Sequence, residues 1–338
     1  GEKYTSLVNF FDDRGNYKLT KVLDEAYKAA VPNQFQKDFI ETDKKVNLLY
    51  SALSGQILKV FPVPGDANNK WVSYLEINEH TNSALDSIKN VIPYYLSSID
   101  KAAVTGDYKL SNSLLKGLEN YQIKYGSKVR PSEKKIDSEI LYNKYDIFKK
   151  LFSWYMYAGV LMFLFVIIKI FNANKTVNIL VKISHAIIAI LFVLHTVGLI
   201  FRWYISGHAP WSDAYESMIY VGWATMLFGL VFGRKSELTV ASTAFVAAMI
   251  LMVAHWNWMD PAIANLQPVL NSYWLMIHVA VIVGSYGPFT LGMILGLVAL
   301  LLMIFTNEKN KAKMDLNIKE ITYINEMALT VGLVMLTI

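Results

Sequence analysis

Two stretches of this chain crowd together side chains that can do chemistry. Residues 207–223, GHAPWSDAYESMIYVGW, place His208, the carboxylates Asp213 and Glu216, and the rings of Trp211, Tyr215, Tyr220 and Trp223 between two apolar runs. Residues 273–278 add Tyr273, Trp274 and His278 at the head of a third run. A core helix has no need of that mixture. Neutral imidazole ligates metals, tryptophan and tyrosine suit the boundary between lipid and water, and a carboxylate is costly in hydrocarbon unless held at its edge. The chemistry within reach is therefore metal ligation beside flat apolar surfaces, at a membrane surface. Cysteine is absent, which excludes a disulfide, a thiolate nucleophile and a thiolate metal ligand.

The elements that must position these residues follow from composition. The chain is 54% hydrophobic and only 17% charged, a balance of a partly membrane-embedded protein. Up to about residue 147 the sequence is rich in Lys, Asp and Asn with ordinary helical periodicity; beyond it come long uncharged runs. The spacing predicts spans over roughly 152–171, 179–201, 217–232, 238–255 and 273–305, with a sixth beginning near 326. The fifth is long enough for its first turns to stand above the lipid, and Pro288 beside Gly287 is a candidate kink. Lysine and arginine gather in the first, third and fifth loops (Lys175, Arg234-Lys235, and Lys309, Lys311 and Lys313), so these loops are expected to be cytoplasmic. Residues 1–147 and the 207–223 stretch then lie outside. The net charge of +5 reflects this lysine distribution, and no nucleic acid partner is implied.

In residues 1–147 the periodicity predicts helices around 19–30, 35–53, 85–99 with a bend at Pro93, and 110–125, with a loop over 55–69. A last helix is expected to run from Ile136 straight into the first span. His80 has a solvated or capping role. The chain begins at Gly1 without Met and ends at Ile338 with no polar anchor, so a fragment of a longer protein is expected. The predicted fold class is all-α: a polytopic helical membrane domain of five full spans and a truncated sixth (148–338) behind an extracytoplasmic helical domain (1–147).

By this topology His208, His255 and His278 share the outer face, each beside large aromatics. Haem, flat, apolar and seeking axial ligands, would suit such histidines. For Trp203, Tyr204, Trp256, Trp258 and Tyr273 an ordinary aromatic belt is sufficient. Asp213 and Glu216 have capping-box spacing, which explains both as helix initiation. His278 sits about 9 Å into its helix, one turn from Trp274, where the positive end of the helix favours the neutral ring. It is either a metal ligand or an interfacial residue. Arg202, at the outer end of the second span, either meets an acidic ligand group such as a haem propionate or, more simply, snorkels. His185 and His195, inside that span, are functional flags or hydrogen-bond partners of a neighbouring helix.

The pieces Arg202-Trp203-Tyr204, Gly207-His208-Ala209-Pro210-Trp211-Ser212, Tyr215-Glu216-Ser217-Met218 and Leu266-Gln267-Pro268-Val269-Leu270-Asn271-Ser272-Tyr273-Trp274-Leu275-Met276-Ile277-His278-Val279 resemble the CcsA part of the system II cytochrome c synthase. The fused CcsBA (ResC-like) form is the most similar, over about residues 150–338. Residues 1–147 look like the extracytoplasmic region that precedes it. The resemblance implies a holocytochrome c synthase of the cytoplasmic membrane, working at its periplasmic face on haem b and apocytochrome c, together with a CcsB/ResB-like part. It implies that His278 is an axial ligand to the haem iron and that Trp274 lies against the haem, with His208, Trp211 and Arg202 as further candidates. The tryptophan-rich WWD platform and the second axial ligand are expected beyond Ile338. Two other readings stand beside it: a haem delivery or export protein without lyase activity, and a non-haem structural membrane subunit.

Overall fold

The computed structural model describes residues 5–80, 83–172, 174–256, 259–266, 270–308 and 310–338. It divides the chain into two compact units, 1–131 and 132–338. The expected boundary at Ile147 falls later than this division, because the helix that precedes the first span packs within the second unit.

In the first unit, α1 (Thr20–Lys28) and α2 (Gln34–Leu53) form a hairpin closed by Leu23, Ala26 and Val46. Asn33 opens α2 with a complete capping box: its side chain accepts from the Gln36 amide, and the Gln36 side chain accepts from the Asn33 amide. The expected 55–69 loop instead contains β1 (Phe61–Pro62), which forms a hairpin with β2 (Trp71–Val72) just beyond it, paired Phe61 to Val72. Strands of two residues are too short to leave an alternating signature. The expected third helix is also two, α3 (Ser83–Asp86) and α4 (Val91–Thr105). Pro93 does not bend it; it lies in the first turn of α4, where its missing N–H costs nothing. α5 (Lys109–Gly126) returns along α4 and ties the hairpin down, its Tyr121 hydroxyl donating to the Pro62 carbonyl at 3.0 Å.

The second unit begins with α6 (Glu133–Tyr145), which breaks at Asp146 rather than running on into the membrane helix. Asp146 is left-handed (φ 42°), a conformation that Asp tolerates better than most residues. Beyond it come α7 (Ile147–Phe171), α8 (Lys175–Ser206), α9 (Ala214–Phe232), α10 (Glu237–Ala254), α11 (Tyr273–Ile304) and α12 (Lys311–Thr337). Among the described residues five helical segments are long and apolar enough to span a membrane: α6–α7, α8, α9, α10 and α11. The fold is thus an all-α polytopic membrane protein. α11 continues through Pro288 as one helix. α12 starts well before residue 326, because its first half is amphipathic and its lysines hide it from a hydropathy reading.

α10 is the centre of the bundle, packed against α7, α8, α9 and α11 and largely buried. With no hydrophobic gain in lipid, helices approach through small side chains. A Cβ on Gly159 of α7 would stand 2.8 Å from the backbone nitrogen of Phe245, and one on Gly287 of α11 would stand 2.8 Å from the backbone of Ala224 and Thr225. α12 returns antiparallel along α11, Phe289 meeting Gly332 and Leu329 meeting Gly292. Large apolar side chains such as Ile183, Ile187 and Ile190 of α8 face outward, as a lipid-bathed surface requires.

Gly159→Val should therefore destabilise the membrane unit by at least the roughly 1–3 kcal/mol typical of overpacking, since the opposing atom is backbone and cannot step aside. Gly117→Ala in α5, where nothing lies within 4 Å, should be neutral or stabilising by about 0.5–1 kcal/mol. Thermal unfolding in detergent checks both.

Candidate functional site

α8, α9 and α10 bring their Gly207-side ends together with the start of α11, and the sequence there contains what a turn needs. Gly207 (φ 79°) ends α8, its amide bonded to the Trp203 carbonyl at 2.9 Å. Asp213 opens α9 by accepting from the Glu216 amide at 2.7 Å, so the capping expectation holds for Asp213. It fails for Glu216. That side chain is fully buried and does not return to the Asp213 amide; one oxygen accepts from the Ser212 amide (2.9 Å) and hydroxyl (2.7 Å), the other from Arg202 Nε (2.7 Å).

Arg202 is the largest fully buried side chain among the described residues, so it does not snorkel. Its Nη1 donates to the carbonyl of Pro261 (2.9 Å) and lies 3.4 Å from the Tyr142 hydroxyl, Nη2 donates to the carbonyl of Ala262 (3.1 Å), and Asp213 stands 3.8 Å away. The guanidinium also lies over the Tyr215 ring at 5.1 Å. Its donors are thus consumed inside the protein, which leaves little to offer a propionate. Burial pushes the Asp213 carboxyl above its ordinary value, opposed by the hydrogen bond from the Glu216 amide.

Trp211 belongs to a separate construction. Its indole N–H donates to the Met276 carbonyl of α11 at 3.2 Å, and one turn further the Tyr220 hydroxyl donates to the Ala280 carbonyl at 3.3 Å. The rings continue inward as a chain, Trp203 to Trp211 (5.8 Å), Tyr220 (4.9 Å), Trp223 (5.7 Å) and Phe192 (5.8 Å). At 100° per residue, His278 and Trp274 lie about 120–160° around α11 from Met276 and Ala280. The structure accordingly does not bring them together with Trp211. Trp274 is 77% exposed and touches Tyr273, while His278 is exposed with no hydrogen bond or ring contact among the described residues.

The other membrane-unit histidines differ in how far they are engaged, and the buried Nε2 of His255 and Nδ1 of His195 have no hydrogen-bond partner among the described residues. His208 has Nδ1 beside the Ala209 carbonyl and the Ser212 hydroxyl, and Nε2 3.1 Å from the Ala264 carbonyl, so it would have to break a contact to ligate iron. His255 packs edge-on to Tyr215 at 5.9 Å, and burial holds its imidazole below the ordinary value. His195, fully buried, donates Nε2–H to the Ile219 carbonyl of α9 at 3.1 Å, the hydrogen-bonded alternative for that residue. His185 is half-buried on the same helix. Trp258 and the Gln267-Pro268-Val269 part of the second motif lie outside the described residues, as does Lys309. No group of three His, Asp or Glu side chains converges on a common point among the described residues. A cleft of about 440 Å³ beside Tyr215 is edged by Glu139, Asp146 and Asp260, carboxylates that would repel a propionate.

For haem, His278 offers an exposed imidazole without a competing internal partner among the described residues, one turn from Trp274 on a helix braced from its other side. Sequence reasoning missed the role of Glu216 and the carbonyls of Pro261 and Ala262; the one available signal was a charged arginine inside an apolar helix.

Arg202→Met and Glu216→Met should each cost about 3–5 kcal/mol by stranding the partner charge in the interior, and the double variant should recover part of that loss. Thermal unfolding of the three variants checks it, additive losses being the contrary outcome.

Residues 211–338 match the family described as Cytochrome C assembly protein. Protein NrfI of Wolinella succinogenes is 35% identical over 98% of this chain and 36% of its own length. The cytochrome c biogenesis protein CcsA of Prochlorococcus marinus is 34% identical over 36% of this chain and 39% of its own, and that of a Synechococcus strain is 34% identical over 34% and 39%. The chain thus spans well under half the length of these relatives. The Trp211 loop, its brace on α11 and the His278 turn all fall inside the matched region, so from Trp211 onward the chain is similar to the cytochrome c assembly proteins and to CcsA.

Proposed function

We propose that this chain handles haem for cytochrome c biogenesis, holding it at the periplasmic face of the cytoplasmic membrane for attachment to Cys-x-x-Cys-His motifs of apocytochrome c. The observation that carries this is His278, an exposed imidazole one turn from Trp274 inside the region that matches the cytochrome c assembly family. His278 ligates the haem iron from one side. Trp274 and Tyr273 cover part of the porphyrin, which removes two exposed rings from water. Trp211 and Tyr220 hold the Met276 and Ala280 carbonyls on the opposite side, so the ligand-bearing turn cannot roll away from its position.

Haem is the substrate here, of the b type, and brings the vinyl groups. Each acceptor thiol adds across one vinyl double bond, sulfur to one carbon and hydrogen to the other, with no net oxidation. The absence of cysteine from this chain suits that division of labour, because no thiol of its own competes for the vinyls. Further parts of the site, including a second axial ligand and a CcsB-like part, are assigned to the rest of the longer protein, since the chain covers only 36% of NrfI. The lysines of the loops at the opposite end set the orientation, with residues 1–147 and His278 outside.

In the full-length protein, His278→Ala should lower co-purified haem or shift its absorption spectrum, with partial recovery in added imidazole; haem content and spectrum unchanged at normal expression would remove the proposal. Co-expression with a Cys-x-x-Cys-His acceptor separates synthase from delivery protein: thioether-linked haem on the acceptor marks the former, and bound but unattached haem the latter. A reporter fused at Asp107 should be active only outside the cytoplasm.

A further inference from the structure

At the end of the bundle opposite Arg202, α7, α10 and α12 frame a recess of about 400 Å³. It exists because α12 packs on α11 while α7 packs on α10 and α8, leaving α10 as the floor of a gap between two walls. The walls are apolar: Val166 and Ile170, one turn apart on α7, Leu238 at the start of α10, and Leu316 on α12. The rim is charged. Lys169 is held by Glu237 at 2.6 Å, and Glu320 stands on the rim with no ion-pair partner among the described residues. Three lysines thus face two carboxylates around the recess. Lys235 and Lys313, both exposed, have no carboxylate partner among the described residues.

We infer that this recess binds one anionic glycerophospholipid, with the phosphate between the Lys235 and Lys313 ammonium groups and an acyl chain along Val166 and Ile170. A groove between membrane helices cannot stay empty in a bilayer, and lysines at its mouth select the charge of what fills it. The depth agrees: the lysines stand at the ends of α7, α10 and α12, where headgroups lie, and the apolar lining continues toward the middle of the bundle. A zwitterionic lipid brings its own ammonium into the same space and gains less from the pair. Asn317, on the wall beside Lys313, donates its Nδ2 to the Lys313 carbonyl at 2.8 Å and keeps Oδ1 to accept from a headgroup hydroxyl. The site is independent of haem handling, since none of its residues belongs to the His278 end.

The test uses the full chain, delipidated in detergent and titrated with phosphatidylglycerol or phosphatidylcholine in mixed micelles, bound lipid being counted by native mass spectrometry. One phosphatidylglycerol should be retained, phosphatidylcholine should not, and the Lys235→Gln/Lys313→Gln variant should bind roughly tenfold more weakly or worse. Lys319→Gln, outside the recess, should bind as the unaltered chain does. Equal retention of both lipids, or equal binding by the double variant at an unchanged thermal midpoint, would overturn the site. Inorganic phosphate competing as well as the lipid would overturn the lipid assignment in favour of a free-anion site.

Discussion

The buried pair of Arg202 and Glu216 is the interaction on which the Gly207 end of the bundle depends. Removing two charges from water costs several kcal/mol per ion, and mutual attraction repays it only where the remaining donors and acceptors are also satisfied. Here the repayment is nearly complete: the guanidinium meets a carboxylate, two backbone carbonyls and a tyrosine hydroxyl, and the carboxylate meets the Ser212 amide and hydroxyl as well. These groups come from α6, α8, the loop before α9, α9 itself and the segment after α10. A hydrophobic replacement of the same volume could fill the space, but it could not fix the register of five pieces of chain at once.

That fixation passes to α11 by a different route. The loop that supplies Ser212 to Glu216 also supplies Trp211, whose indole is aimed at the Met276 carbonyl. Along α9 the Tyr220 hydroxyl repeats the contact at Ala280, and lower still the Gly287 approach lets the two helices touch backbone to backbone. α11 is thus pinned along one face from its first turns inward. Its opposite face is left with Trp274 and His278, which is the division a binding site needs: a rigid backbone behind and unengaged side chains in front.

The spans were legible because lipid imposes a simple rule on sequence, a long uncharged run, and α7 to α11 obey it. α12 was misjudged where it departs from the rule, its lysine-bearing first half packing on α11 despite its charge. The β1–β2 hairpin and the break at Asp146 were invisible because each is set by two or three residues in tertiary contact. Asp213 was readable as a cap, since a cap acts within its own turn. Glu216 was not, because its partner stands fourteen positions away on another helix and two of that partner's acceptors are backbone carbonyls. For His278 the position at a helix start was readable from sequence; that its ring is exposed, where His208 is hydrogen-bonded and His255 is half-buried against Tyr215, needed coordinates.

The two ends of the membrane unit are built on opposite economies of charge. At the Gly207 end the buried charges are matched, and the Trp274 and His278 face of α11 presents no charged side chain, a surface suited to a flat apolar molecule. At the lysine-rich end one carboxylate is paired and the lysines outnumber the carboxylates around the recess, a surface suited to phosphate. α10 separates them as the most buried helix, lined by Ala, Ser and Thr whose hydroxyls return to their own backbone, as Ser242 does to Leu238 and Thr243 to Thr239. Such a helix transmits position but offers no polar path between the ends. The chemistry of each end is therefore set by its own loops, and a change at one should leave the other intact unless it alters how closely α10 packs.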